Sequence, residues 1–245
     1  MMPVWLWPVL AAPFIGSFLG VVISRLPIGG SVVFGRSACV RCGTRLGPMQ
    51  LVPLLSFAAL RGRCRSCEKA IGWFHPAVEL AAVAVAVWVA IVEADPVWLW
   101  IGCGLGWTLL ALAWIDWTHY LLPDVLTLPL LLAGLVVAFV LQPEALTDRC
   151  LAAALGWGGF WAIGVAYRRL RGRDGLGGGD GKLVAAAGAW CGLETLPWIV
   201  LGSALLGLLG ALSLRAAGRA VTSSTRIAFG PCIAVAFWLA WLYGT

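Results

Sequence analysis

Long apolar runs free of charge recur along this chain and leave it a single class of fold. Runs approaching spanning length lie near residues 4–23, 76–92, 97–115, 124–141, 150–167, 182–193, 196–214 and 227–244. A helix needs about 20 apolar residues to cross a hydrocarbon core of about 30 Å. The runs lack the alternation of a half-buried strand, and an open sheet cannot satisfy its backbone in lipid. The expected fold is therefore all-α: a polytopic membrane helix bundle of about eight transmembrane helices. Composition agrees, since 61% of the 245 residues are hydrophobic and 11% charged, against roughly 45–50% and 25% in soluble domains. Met1-Met2-Pro3-Val4-Trp5 places no basic stretch before the first run, so that run is expected to remain as a membrane helix. Segment 182–193 reaches only about 18 Å at 1.5 Å per residue. It is expected to begin earlier, near Gly177, or to be shielded by its neighbours.

A net charge of +6 would suggest nucleic acid in a soluble protein, but here its distribution matters more than its sum. Arg25, Arg36, Arg41, Arg45, Arg61, Arg63, Arg65 and Lys69 fall in the first loop. Arg168, Arg169, Arg171, Arg173 and Lys182 fall in the fifth, and Arg215, Arg219 and Arg226 in the seventh. These loops share one side and hold sixteen of the seventeen basic residues. The positive-inside rule makes that side the cytoplasm and both termini extracytoplasmic. The opposite loops carry Glu93, Asp95, Glu144, Asp148 and Glu194 against Arg149 alone. The expected partner of such a surface is a lipid bilayer, with no nucleic acid.

The large extramembrane element is the loop from Ser24 to Phe74, and it carries two CxxC pairs, Cys39/Cys42 and Cys64/Cys67, with 21 residues between them. That spacing suits a loop folded around tetrahedral Zn²⁺, where four thiolates leave no open position and the site is structural. A loop of this size with few apolar residues cannot support its own core, whereas metal binding supplies folding free energy. Two disulfides, or four unliganded thiols, are the alternatives, and a cytoplasmic loop weighs against the first. Cys103, Cys150, Cys191 and Cys232 are isolated in apolar segments and are expected to be buried small residues.

Ionisable groups in membrane segments cost roughly 2.5–3.5 kcal/mol each at a helix centre, so each is a functional candidate. Six acids lie on the cytoplasmic side or its membrane edge: Glu68, Glu79, Asp116, Asp124, Asp174 and Asp180. Asp116 closes the third segment and Asp180, 64 positions later, opens the sixth after Gly177-Gly178-Gly179. Topology sets both at one membrane depth, and two facing carboxylates sharing a proton are the working parts of an aspartic protease. Glycines before Asp180 let the backbone bend and admit close neighbours. The plainer alternatives are a hydrated helix-end carboxylate for Asp116 and a first-turn acid favoured by the macrodipole for Asp180. Asp124, after Pro123, fits the first turn of the fourth segment. His119 is expected to hydrogen-bond at the interface, and His75 to sit in a loop. A phosphate-binding Walker loop is excluded by Leu176 and Leu183. The chain also lacks the GxSxG and HExxH patterns of serine and zinc proteases.

Five stretches in order resemble the prepilin peptidase, or type IV leader peptidase, family. They are Gly16-Ser17-Phe18-Leu19 leading to Ser24-Arg25-Leu26-Pro27; Leu60 to Cys67; Ile115-Asp116 with Leu121 to Pro129; Gly177-Gly178-Gly179-Asp180 with Lys182; and Phe229-Gly230-Pro231. The fourth resembles the GxGD site shared with presenilin-type proteases. The resemblance implies that Asp116 and Asp180 are catalytic. It also implies that the chain cleaves the basic leader from type IV prepilins or type II secretion pseudopilins at the cytoplasmic face of the inner membrane. N-methylation of the new terminus from S-adenosylmethionine is implied as a second activity, with Glu79 matching a recurring acidic position. Residues 1–95, with the loop 24–74, would be the methyltransferase-associated region and 96–245 the peptidase core. Two departures bear on that second activity: Gly20 stands where the family usually has Asn, and Val40 where it usually has Pro. The competing functions are a transporter whose intramembrane acids line an ion path, and a non-catalytic pilus or secretion assembly factor with a zinc-stabilised loop.

Overall fold

The structure is a computed structural model that describes residues 3–35, 37–172, 177–218 and 228–244. Arg36, Arg173, Asp174, Leu176, Arg219 and Arg226 lie outside the described residues. Regular structure among the described residues is helical. The helices are α1 (Leu6–Arg25), α2 (Leu55–Ala59), α3 (Phe74–Val92), α4 (Pro96–His119), α5 (Asp124–Leu141), α6 (Leu146–Arg171), α7 (Gly178–Cys191), α8 (Leu196–Ala216) and α9 (Gly230–Tyr243). Apart from α2, which lies inside the first loop, each helix coincides with one of the eight apolar runs. Among the described residues, six stretches are long and apolar enough to cross a membrane: α1 with its 3-10 extension, α3, α4, α5, α6 and α8. The expected count of about eight is therefore only roughly met, because α7 and α9 have 14 residues each, or about 21 Å of rise.

The chain divides into two compact units, Met1–Ala111 and Leu112–Thr245. In the first, α1 packs along α3 through small residues. A Cβ on Gly16 would lie 2.6 Å from the Glu79 Cα, so only glycine permits this approach. Ala12, Ala82 and Ala86 are fully buried. The Trp107 indole donates to the Ala82 carbonyl at 3.0 Å, which satisfies a buried N–H. His75 is the second residue of α3 and not a loop residue as its neighbour Pro76 suggests. Proline is tolerated in a helix's first turn, where its missing N–H would have had no partner.

The second unit is built around α7, which packs against α5, α6, α8 and α9. Asp180, Gly181 and every residue from Leu183 to Trp190 are buried. Enclosure by other helices is the reason α7 need not match the bilayer's thickness, and its start at Gly178 is earlier than residue 182. Ala185, Ala186, Ala187, Gly188 and Ala189 keep its surface nearly bare. A Cβ on Gly188 would fall 2.6 Å from the Ala152 backbone of α6, and one on Gly134 of α5 would fall 2.5 Å from the Trp190 ring. The Trp190 indole donates to the Leu130 carbonyl at 2.8 Å. Large apolar side chains such as Phe139, Trp161 and Leu209 are turned outward and exposed. Small-inside, large-outside is the arrangement for lipid, which is as apolar as leucine and makes close helix packing the main attraction. Cys150, expected to be buried, sits exposed on α6, while Cys103 is buried and Cys191 and Cys232 are half-buried.

Gly188→Ala should lower the stability of this unit by about 1–3 kcal/mol, since the neighbouring backbone has to move to admit one methyl group. Thermal unfolding of the purified protein in detergent measures it.

A buried carboxylate pair and a four-cysteine knuckle

Asp116 occupies the last turn of α4 and is 6% exposed; Asp180, at the third position of α7, is 9% exposed. Each is held by the backbone of a glycine. Gly177 is the N-cap of α7, and its backbone faces the Asp180 carboxylate. A Cβ on Gly177 would lie 2.9 Å from Asp180 Oδ2, and one on Gly179 would lie 2.8 Å from the Leu122 Cβ. The turn before Asp180 is thus pressed against the segment that follows α4. Asp116 is held from further away: Gly230, the first residue of α9, donates its N–H to Asp116 Oδ2 at 2.8 Å.

The fold brings the two aspartates together. Asp180 lies within electrostatic reach of Asp116, and Cys232 on α9 lies within reach of both. Cys232, expected to be an ordinary apolar-segment cysteine, carries no sequence signal for this position, and the Gly230 contact has no local signal beyond the Phe229-Gly230-Pro231 pattern. Asp124 is in the first turn of α5, as its position after Pro123 suggests, and forms an ion pair with Lys182 of α7. That bridge ties the starts of α5 and α7, although its half-exposed position limits it to about 1 kcal/mol or less. His119 ends α4 with Nδ1 2.7 Å from the Thr118 hydroxyl.

In the first unit, the Sγ atoms of Cys39, Cys42, Cys64 and Cys67 all lie within 4.8 Å of one another. The Cys39 and Cys67 sulfurs are 4.0 Å apart. A tetrahedral ion with metal–sulfur bonds of about 2.3 Å needs sulfurs about 3.8 Å apart, so the four donors fit Zn²⁺ with little adjustment. The two pairs fold alike. Gly43 N–H donates to the Cys39 carbonyl and Glu68 N–H to the Cys64 carbonyl, each at 2.9 Å. Antiparallel bridges Ala38–Arg45 and Arg63–Ala70 close the two turns. Backbone donors also face sulfur: hydrogen bonds from the Cys67 and then the Ser66 backbone hold the Cys64 thiol below its ordinary range. The hydroxyl and then the backbone of Thr44 bring the Cys42 thiol down to about 6. Thiolates are the metal-binding form, so these contacts favour it at Cys42 and Cys64.

Glu79 is the other buried carboxylate among the described residues, on α3. It accepts the Leu54 N–H at 2.8 Å and a hydrogen bond from the Ser17 side chain. Leu54 adopts φ +57°, a conformation costly for a branched side chain, so Glu79 pins a strained turn at the head of α2.

These features define a class: a polytopic membrane protein with a buried aspartate pair in one unit and a metal-fitting cysteine knuckle in the other. Two family descriptions match the chain, the Bacterial Peptidase A24 N-terminal domain over residues 10–92 and the Type IV leader peptidase family over residues 103–212. Among curated proteins it is similar to the prepilin leader peptidase/N-methyltransferase of Pseudomonas aeruginosa, 38% identical over 96% of this chain and 89% of the relative. Proteins of the same name from Aeromonas salmonicida (38%, covering 94% and 87%) and Neisseria gonorrhoeae (33%, covering 92% and 85%) are also similar. No solved structure matches. The chain belongs to the type IV leader peptidase family.

The left-handed position after the second cysteine of each pair is Gly43 (φ +70°) in the first turn and Glu68 (φ +55°) in the second. A residue with a Cβ costs roughly 1–2 kcal/mol there, and glycine loses part of that gain to chain entropy. Glu68→Gly should stabilise the second turn by about 1 kcal/mol, read as roughly fivefold slower amide exchange at Ile71.

Proposed function

We propose that the protein cleaves the basic leader of type IV prepilins or type II secretion pseudopilins with Asp116 and Asp180 as its catalytic pair. The observation that carries this is the pair itself: two buried carboxylates from separate helices, each fixed by a glycine backbone and each within reach of the other's charge. An ionised carboxylate takes a proton from water, and the hydroxide attacks the scissile carbonyl while the protonated carboxyl donates to its oxygen. The tetrahedral intermediate then collapses, the C–N bond breaks and the amine leaves with a proton. Base and acid roles are assigned to the pair and not to either aspartate alone. Burial among helices keeps bulk water away and strengthens these interactions.

The charge asymmetry supports a cytoplasmic placement of the site, in the inner membrane, with both termini outside. Zn²⁺ held by Cys39, Cys42, Cys64 and Cys67 supplies folding energy to the loop and has no catalytic part, since the four thiolates fill its coordination. The names of the relatives support a second step, in which S-adenosylmethionine would supply a methyl group to the freed N-terminal amine, leaving as S-adenosylhomocysteine with the amine proton released. Within the first unit, a groove of about 900 Å³ lined by Phe57, Trp73, Arg41 and Arg61 has the chemistry for such a donor. Aromatic faces suit a nucleobase and a sulfonium, and a guanidinium suits a carboxylate.

Asp116→Asn and Asp180→Asn should each abolish leader cleavage, with the protein still in the membrane; full processing by both variants removes the assignment. Purified enzyme incubated with a prepilin should yield the shortened pilin alone, and the same product carrying one more methyl group when S-adenosylmethionine is added, as read by intact mass. Metal analysis of reduced, purified protein should find close to one zinc per chain, and less than about half an equivalent counts against the knuckle as a zinc site.

A further inference from the structure

The hydrogen bond from Gly230 to Asp116 joins residues 114 positions apart and is buried. Helix starts offer N–H groups that have no partner within the helix. At the start of α9 the second residue is Pro231, which has no N–H, so Gly230 is the donor its first two positions provide. Gly230 does not adopt a left-handed backbone, and conformational freedom does not account for a glycine here. Space does: a Cβ would sit 2.7 Å from Asp116 Oδ2 and 2.9 Å from its Cβ and Cγ. Phe229, just before, is fixed by α8, where a Cβ on Gly207 would touch its ring at 3.2 Å. The donor is therefore presented from a braced helix start to one chosen oxygen of a reacting carboxylate.

We propose that Gly230 is a positioning residue of the peptidase. Its N–H occupies Asp116 Oδ2, fixes the rotation of the carboxylate, and leaves Oδ1 for the lytic water and the proton shared with Asp180. The two aspartates are then held by parallel devices, Gly177 from within the same helix for Asp180 and Gly230 from the last helix for Asp116. This inference rests on the assignment of Asp116 and Asp180 as the catalytic pair. A small rotation of a reacting group suffices for a large loss, since misplacement by about 1 Å costs on the order of a hundredfold in rate.

The test uses the full chain, purified in detergent, with a prepilin peptide as substrate. Gly230→Ala should insert in the membrane, lower kcat by at least about tenfold and leave KM within about twofold. Its affinity for the same peptide carrying a tetrahedral hydroxymethylene in place of the scissile carbonyl should fall by at least about tenfold, a loss that a purely structural defect would not confine to the transition-state mimic. A Gly230→Ala enzyme with wild-type kcat and wild-type affinity for the mimic overturns the proposal. Should Gly230→Ala fail to fold, amide exchange at Gly230 decides: Asp116→Ala should speed it by at least about tenfold, and unchanged exchange overturns the proposal. Asp116→Asn run alongside separates the two levels. An active Asp116→Asn removes the catalytic pair, whereas an inactive one beside a fully active Gly230→Ala removes only the clamp.

Discussion

Close backbone approach around α7 is the constraint on which the second unit depends. Lipid offers no hydrophobic gain for burying leucine, so helices associate where small residues let their backbones meet. The run from Ala185 to Ala189 and the glycines at 134, 156 and 188 supply such meetings, with Gly156 packed on the Val184 backbone. A helix enclosed in this way is released from the length rule that binds a lipid-facing span. Fourteen residues then suffice, and Asp180 enters the unit at the first turn of a helix already surrounded.

Glycine recurs at the site for the same reason, applied to carboxylates in place of helices. Gly177, Gly179 and Gly230 each stand where a methyl group would collide, with Asp180, Leu122 and Asp116 respectively. Buried carboxylates in a membrane protein need hydrogen-bond donors, and side-chain donors are scarce in helices this apolar. Backbone N–H groups at helix starts are the donors at hand, and glycine lets them come close. The first unit solves a comparable problem with sulfur. Backbone groups of Cys67 and Ser66 face the Cys64 thiol and Thr44 faces the Cys42 thiol, which favours the metal-binding form of those two donors.

Much of the site was legible because its parts carry local signatures. Asp116 and Asp180 are conspicuous as acids at the edges of apolar runs, and the paired CxxC spacing forecasts the cluster that the four sulfurs form. His75 and Cys150 were misjudged for an equally local reason. Proline beside His75 resembles a loop until the first turn of α3 is seen to tolerate it, and an apolar run does not say which of its faces is outward. The number of spans is only roughly met because hydropathy measures apolar character and not helix length, and α7, at 14 residues, is enclosed by protein.

Sequence alone determined the class of architecture and the metal-fitting quartet, and it marked two acids at the edges of apolar runs, since each follows from residue type and short-range spacing. Only the tertiary structure decided that Gly230 holds Asp116, that Lys182 meets Asp124, and that α7 lies enclosed. Those contacts join positions up to 114 residues apart, and no local pattern encodes which backbone donor arrives at a given carboxylate. That depends on where whole helices come to rest, which packing among small residues settles.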